Sequence, residues 1–264
     1  MSNLRPVAVI TGASSGIGAA LAEVFTRNGH EVVLVARREA MLRSLAEKIA
    51  AKGRPMPMVV VADLSQTDAP EKLSSELSAR GVEPAFVVNN AGFGLHGRAA
   101  DLDRAKQIEM VDLNVRALTD LSLRWIDSLE RNRGGILNVA SIAAFFSGPG
   151  MAVYYATKAY VLSLSEALHR ELGPRGIRVS VLTPGPVPTE FQDRAGIRME
   201  DLPGILAVSP EQVAEEAYAG LMKGKRIVTP GLGNRLARLS PRFVPRGLLL
   251  AAVDRTQNRR LKKG

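Results

Sequence analysis

Val7-Ala8-Val9-Ile10-Thr11-Gly12-Ala13-Ser14-Ser15-Gly16-Ile17-Gly18, followed by Ala19 to Asn28, is the stretch that decides the fold. Val7 to Ile10 is a short apolar run of buried-strand type. The glycine-rich run reads as a turn. Ala20, Leu21, Val24 and Phe25 then recur at helical spacing until Gly29 offers a stop. Strand, glycine-rich turn and helix, in that order, give the glycines a chemical meaning. They permit a tight turn and close backbone approach, and the first turn of the helix presents unpaired N–H groups to a phosphate. A purely structural turn is the alternative; the context favours phosphate binding.

The next strand, Glu31 to Ala36, ends on Arg37-Arg38. An acid at this strand end would bond a ribose 2′-hydroxyl, but Ala36 and two arginines stand here, and guanidinium forks match a phosphate. This favours NADP over NAD. One arginine is expected simply to begin the next helix, and Arg37 is the better candidate for the ligand. Further strands follow at Met58 to Val61, ending on Asp63-Leu64, and at Ala85 to Val88, closing on Asn89-Asn90-Ala91-Gly92. Ile136 to Val139 leads to Ser141, Ile177 to Leu182 leads to Pro184-Gly185, and Arg226 to Val228 is a short seventh strand. Helical patterns separate them: Glu39 to Lys52, Thr67 to Arg80, a long stretch from Asp101 to about Glu130 containing Asn114, and a helix ending near Leu172. Such alternation predicts an α/β fold, a doubly wound parallel sheet of Rossmann type with about seven strands and helices on both faces. The expected organisation is one domain over residues 1–264, with a basic C-terminal extension from about residue 231. The polar motifs sit at strand C-terminal ends or on the following helix, the edge where open parallel sheets bind ligands.

On that last helix, Tyr154 and Lys158 stand four residues apart, one turn of a single face. A nearby ammonium favours the phenolate and brings a phenol toward use as a proton donor and acceptor. The spacing alone also fits an ordinary amphipathic edge, so the surrounding motifs carry the weight.

With those motifs in view, the chain resembles the single-domain short-chain dehydrogenases/reductases. Thr11 to Gly18 is similar to that family's T-G-x-x-x-G-x-G, Asn89-Asn90-Ala91-Gly92 to its N-N-A-G, and Asn114, Ser141, Tyr154 and Lys158 to its catalytic set. Pro184-Gly185 with Thr189 resembles the segment that holds the nicotinamide carboxamide. The likeness runs from residue 7 to about 190 and is loose beyond. It implies Tyr154 as proton donor or acceptor, Lys158 as the residue that lowers its pKa and binds the nicotinamide ribose, Ser141 as the group on the substrate oxygen, and Asn114 as holder of a relay water. It implies Gly12, Gly16, Ile17 and Gly18 at the pyrophosphate, and Ser14 with Arg37 at the 2′-phosphate. Asp63 and Leu64 would flank the adenine, and Asn90 and Gly92 the adenosine ribose. Asn89 reads as a sheet-end hydrogen-bonder and Tyr155 as core or pocket wall. A homo-oligomer paired through the Asn114 and Tyr154 helices is also implied. The expected activity is hydride transfer between NADP(H) and an apolar carbonyl or alcohol, reduction favoured. Alternatives are an alcohol or hydroxysteroid dehydrogenase working in the oxidising direction, and a non-catalytic NADP sensor or membrane-associated adaptor.

Composition bounds the chemistry. No cysteine occurs, so thiolate metal sites and disulfides are excluded, and His30, His96 and His169 have no metal-ligand spacing, so no metal is expected. The residues give no signal-peptide layout and no long apolar run, so a soluble cytoplasmic protein is expected. Candidate substrate walls are Phe93, Leu95, His96, Phe145, Phe146, Met151 and the segment 186–209; Phe145 and Phe146 could equally be core, and His96 reads first as an exposed loop residue, with substrate binding the alternative. The net charge is +9, and from Lys223 onward twelve Lys or Arg stand against one acid, Asp254. This tail reads as a packed helix with a solvated basic face, or as a basic amphipathic helix for an anionic membrane. Nucleic acid is not expected, because the sequence carries no recognised nucleic-acid module.

Overall fold

The computed structural model describes residues 4–196 and 206–261. Part of the expected substrate segment, residues 197–205, lies outside the described residues, as do Lys262 and Lys263 of the basic tail.

Seven parallel strands form one sheet in the order β3-β2-β1-β4-β5-β6-β7. They are β1 (Arg5–Thr11), β2 (Val32–Ala36), β3 (Met58–Val61), β4 (Val82–Asn89), β5 (Gly135–Val139), β6 (Arg178–Leu182) and β7 (Ile227–Val228). The helices are α1 (Gly16–Arg27), α2 (Glu39–Ala50), α3 (Ala69–Ala79), α4 (Arg104–Val111), α5 (Leu118–Arg124), α6 (Ile126–Arg131), α7 (Ala152–Leu172), α8 (Glu190–Ala195), α9 (Pro210–Met222), α10 (Leu232–Leu239) and α11 (Arg246–Leu261). The expected doubly wound α/β architecture is therefore present.

Side-chain alternation along β1 divides the core. Ala8 and Ile10 face Leu21 and Phe25 of α1 and Val213, Ala217 and Leu221 of α9. Val7 and Val9 face Leu73 and Leu77 of α3, Leu121 of α5 and Leu168 of α7. In register, Ile10 lies between Leu34 of β2 and Val88 of β4. Strand order reverses between β1 and β4, which opens a crevice beyond their C-terminal ends.

The stretch 101–130 is not one continuous helix. α4 passes into a π-helical turn at Asp112–Ala117, then α5, and a break at Trp125 precedes α6. Its apolar periodicity is helical throughout, but short polar side chains bond back to the helix backbone. Thr119 Oγ1 donates to Val115 O at 2.7 Å and Ser122 Oγ to Leu118 O at 2.7 Å. Such bonds bend helices, and π-turns cluster at functional positions; Asn114 sits in this one. Among the described residues no helix is long and apolar enough to cross a membrane, and no group of acidic or histidine side chains could hold a metal.

Candidate active site

The site begins at the glycine turn. Gly12 and Gly16 have φ of 65° and 56°, the left-handed region that glycine tolerates. A Cβ on Gly12 would lie 2.7 Å from Asn90 Nδ2, and one on Gly18 would lie 2.3 Å from the Gly12 carbonyl oxygen. The turn and the start of α1 are therefore as close as backbone allows. Asn90 Nδ2 donates to Thr11 O at 2.9 Å, and Thr11 Oγ1 accepts from Asn90 N and Ala91 N, both at 3.0 Å, so β4 is tied to the turn. Ser15, before α1, makes no side-chain cap bond, so the first-turn N–H groups keep their affinity for an anion. Gly12, Ser14, Gly16 and Ile17 line the cavity above this turn; Gly18 does not, and serves the packing beneath it.

Both arginines stand at the cavity, in different places. Arg38 Nη2 donates to Ser14 Oγ at 3.0 Å and to Ser15 Oγ at 3.1 Å, and pairs with Glu190 at 2.9 Å. Arg37 instead points along the strand ends, 3.9 Å from Asp63 and 3.7 Å from Glu109. The reason is local: Arg38 is the residue before α2, where the chain turns back over the glycine loop, while Arg37 still follows the β2 direction. Both line the cavity, as do Asp63, Leu64, Asn90 and Gly92.

At the other end, α7 brings Tyr154 and Lys158 to the tip of β5. Lys158 Nζ donates to Val139 O at 2.9 Å and lies 5.8 Å from the centre of the Tyr154 ring. Burial pushes the Lys158 ammonium down to about 8. Burial also pushes the Tyr154 phenol well above the usual tyrosine range, with Ser141 acting in the opposite direction; the lowering by Lys158 that the resemblance implies is not found. Ser141 Oγ in turn accepts from Ala143 N at 3.1 Å, which fixes its hydroxyl at the strand end. Asn114 is fully buried and does not line the cavity. Its amide Nδ2 donates to Phe93 O at 2.9 Å and to Thr157 Oγ1 at 3.2 Å, while Oδ1 accepts from Phe93 N at 3.1 Å. It thereby fixes the Gly92-Phe93 strand end beside Lys158: a Cβ on Gly92 would meet Asn114 Oδ1 at 2.9 Å and Lys158 Nζ at 3.4 Å. Asn89 is buried, with Nδ2 donating to Asn138 Oδ1 at 2.9 Å inside the sheet.

One cavity of about 570 Å³ joins both ends. Thr189 packs on the glycine turn, where a Cβ on Gly16 would approach its Cγ2 to 2.9 Å. Phe93, Leu95, Met151 and Phe191 line the cavity beside Tyr154. Phe145 faces a different cleft and Phe146 lines neither; His96 is half-buried, not exposed, with its backbone N–H donating to Ala195 O at 3.0 Å. Two residues escaped the sequence reading for want of any motif. Gly94 would bring a Cβ within 3.1 Å of Tyr154 and Phe191, and Gln257, from α11, reaches the cavity with Nε2 3.4 Å from Tyr155 Oη.

The residues fit a dinucleotide. A side-chain-free turn under an uncapped helix start suits a pyrophosphate, a serine–arginine cluster suits a phosphate ester, and a buried lysine beside a tyrosine lies at the far end of the same cavity.

Known proteins agree with this geometry. The short chain dehydrogenase family model matches residues 6–199. An uncharacterized oxidoreductase of Staphylococcus saprophyticus is 30% identical over 224 residues, 84% of this chain and 93% of that protein. A short-chain dehydrogenase from Sphingobium yanoikuyae, solved in complex with NADPH, superposes with a TM-score of 0.79 at 33% identity, covering 90% of this chain and 92% of that one. A bulky-bulky ketone specific alcohol dehydrogenase from Comamonas testosteroni superposes with a TM-score of 0.75 at 32% identity, covering 90% and 91%. With its motifs, sheet order and cavity in agreement with these relatives, the chain belongs to the short-chain dehydrogenase/reductase family and is an oxidoreductase.

Proposed function

We propose that the protein is an NADPH-dependent reductase of an apolar ketone or aldehyde. The observation that carries this reading is the buried Tyr154 phenol, sharing the cavity with Ser141, Phe93, Leu95, Met151 and Phe191 and with the Ser14–Arg38 cluster. When bound, the cofactor supplies the hydride. Tyr154 delivers the proton to the substrate oxygen; burial holds the phenol in its protonated form before the reaction. Ser141 hydrogen-bonds the same oxygen as negative charge develops there. Lys158 offers its ammonium to the nicotinamide ribose and to the phenol. Asn114 positions Gly92 and Phe93 and keeps the lysine environment closed.

On the cofactor side, Gly12, Gly16 and Ile17 hold the pyrophosphate and Thr189 the nicotinamide end. Ser14, Arg38 and Arg37 hold the 2′-phosphate, and Asp63, Leu64 and Asn90 the adenosine. The described part of the chain works as one unit, because α11 closes the substrate end through Gln257. Pairing of two copies through α4, α5 and α7 suits the apolar side chains exposed there, Leu123 and Tyr160. The test is a panel of ketones and aldehydes with NADPH, followed by loss of nicotinamide absorbance. Turnover of apolar members supports the reading. Absence of turnover across the panel, with NADPH bound, overturns it in favour of a sensor.

A further inference from the structure

A second cleft lies on the far half of α7. Arg170, Arg226, Arg238 and Arg242 line it together with Glu166 and His169, and it encloses about 560 Å³. It shares no residue with the catalytic cavity. Glu166 stands twelve residues beyond Tyr154 on α7, about 18 Å along the helix axis.

Its charge is unbalanced. Four guanidiniums face one carboxylate, and Arg226 Nε already engages Glu166 at 3.1 Å. Arg170, Arg238 and Arg242 make no ion pair among the described residues. Burial, and then the neighbouring Arg242 and Arg226, push the Arg238 guanidinium below its usual pKa. A guanidinium does not relieve such crowding by losing its proton at ordinary pH. An anion with several oxygens does relieve it, and guanidinium forks match phosphate.

The rim of the cleft is apolar and faces outward. Asn234 is fully buried, with Nδ2 donating to Leu206 O at 3.0 Å and to Pro230 O at 2.9 Å, and this fixes the inner face of α10. At about 100° per residue, positions two before and two after an inward residue lie roughly 160° away from it. Leu232 and Leu236 are accordingly 75% and 72% exposed, and Phe243, just beyond α10, is 81% exposed. Leu239 and Pro241 of the same segment line the cleft itself, so apolar stripe and arginines are contiguous. A two-fold pairing of copies over this face would set the basic surface against itself. An anionic surface with an apolar interior complements both parts, and so does the tail from Lys223 onward, with its twelve basic residues and one acid.

We propose that the arginine cleft between α7, β7 and α10 binds the phosphate of an anionic phospholipid headgroup, with Leu232, Leu236 and Phe243 entering the adjoining acyl layer. The enzyme then works against a lipid surface, from which an apolar substrate can partition.

Flotation of the full-length protein tests this, with vesicles of phosphatidylcholine alone or with roughly one-third phosphatidylglycerol, at about 0.1 M and 0.5 M salt. The parent is expected to float with the anionic vesicles, less so at high salt. Arg238→Gln/Arg242→Gln and, separately, Leu232→Glu/Leu236→Glu are each expected to lower the partition coefficient at least about tenfold. Arg238→Lys/Arg242→Lys is expected to retain most of the binding, and Arg170→Gln gives a second route should the double variant not fold. NADPH affinity, measured by fluorescence titration, is expected to be unchanged in all of them; that readout does not depend on the proposed reductase activity. Equal flotation of parent and variants overturns the proposal, as does equal binding to phosphatidylcholine alone or no binding to either vesicle. A rise in thermal midpoint with millimolar inorganic phosphate, without flotation, assigns the cleft to a soluble anion and overturns the lipid assignment. Self-association that the same variants abolish assigns it to a second copy and overturns it likewise.

Discussion

Lys158 Nζ lies 5.8 Å from the centre of the Tyr154 ring and gives a 2.9 Å hydrogen bond to the Val139 carbonyl. The lysine is thus tethered to the end of β5, while the phenol shares the cavity with Ser141. Two buried groups whose pKa values move in opposite directions from their usual ranges share one cavity, a pattern typical of proton-transfer sites.

Tyr154→Phe removes the donated proton and leaves the ring packing against Phe191 in place. Turnover of the best carbonyl substrate is expected to fall by about 10²–10⁴-fold. NADPH affinity is expected to stay within about twofold. Stopped-flow absorbance for the first and fluorescence titration for the second check both. Parent-like turnover would remove Tyr154 from the mechanism.

The depressed Lys158 pKa has a consequence for folding. Its folded value of about 8 lies below the ordinary lysine value of 10.5, so between these pH values the unfolded chain binds the additional proton. Stability from this group therefore rises with pH from about 8 to about 10, by up to about 3 kcal/mol. Urea midpoints of the parent and of Lys158→Met at pH 7.5, 9 and 10 measure it. The parent should gain relative to the variant as pH rises; parallel pH dependence contradicts the assignment.

Arg38, bonded to Ser14 and Ser15, is expected to carry more of the NADPH preference than Arg37, which faces Asp63 and Glu109. Arg38→Ala should weaken NADPH binding at least about tenfold and leave NADH nearly unchanged, consistent with loss of a charge-assisted bond of about 1.5–3 kcal/mol. Arg37→Ala should have the smaller effect. Paired titrations with the two cofactors decide between the arginines.

Gly94 is buried behind the substrate end of the cavity, packed against three residues that line it. Its Cβ would stand 3.1 Å from Tyr154 and Phe191 and 3.2 Å from Met151. Gly94→Val is expected to raise KM for bulky ketones about tenfold, in line with overpacking costs of about 1–3 kcal/mol, while NADPH affinity holds. A KM unchanged across ketones of increasing size would show that this wall does not set substrate size.

The exposed Leu123 and Tyr160 predict the assembly. Leu123→Glu with Tyr160→Glu should shift the protein toward monomer in light scattering. An unchanged mass places the interface elsewhere.

The sequence by itself determined the parallel α/β sheet and its glycine turn, through local rules: period-2 and period-3.6 patterning, and glycines whose backbone cannot be replaced. Tyr154, Lys158 and Ser141 were singled out by the resemblance of their motifs to the family, not by spacing. Tertiary structure alone decided the rest. Which arginine meets Ser14 depends on how the chain turns into α2, and Asn114 finds its partner, the Phe93 carbonyl, 21 residues away beyond the end of β4. Gln257 comes to the cavity from 102 residues beyond Tyr155, and four arginines from α7, the residue before β7 and the α10 region converge on one cleft. Long-range placements of this kind follow from packing between elements. Such placements leave no periodic trace in the chain.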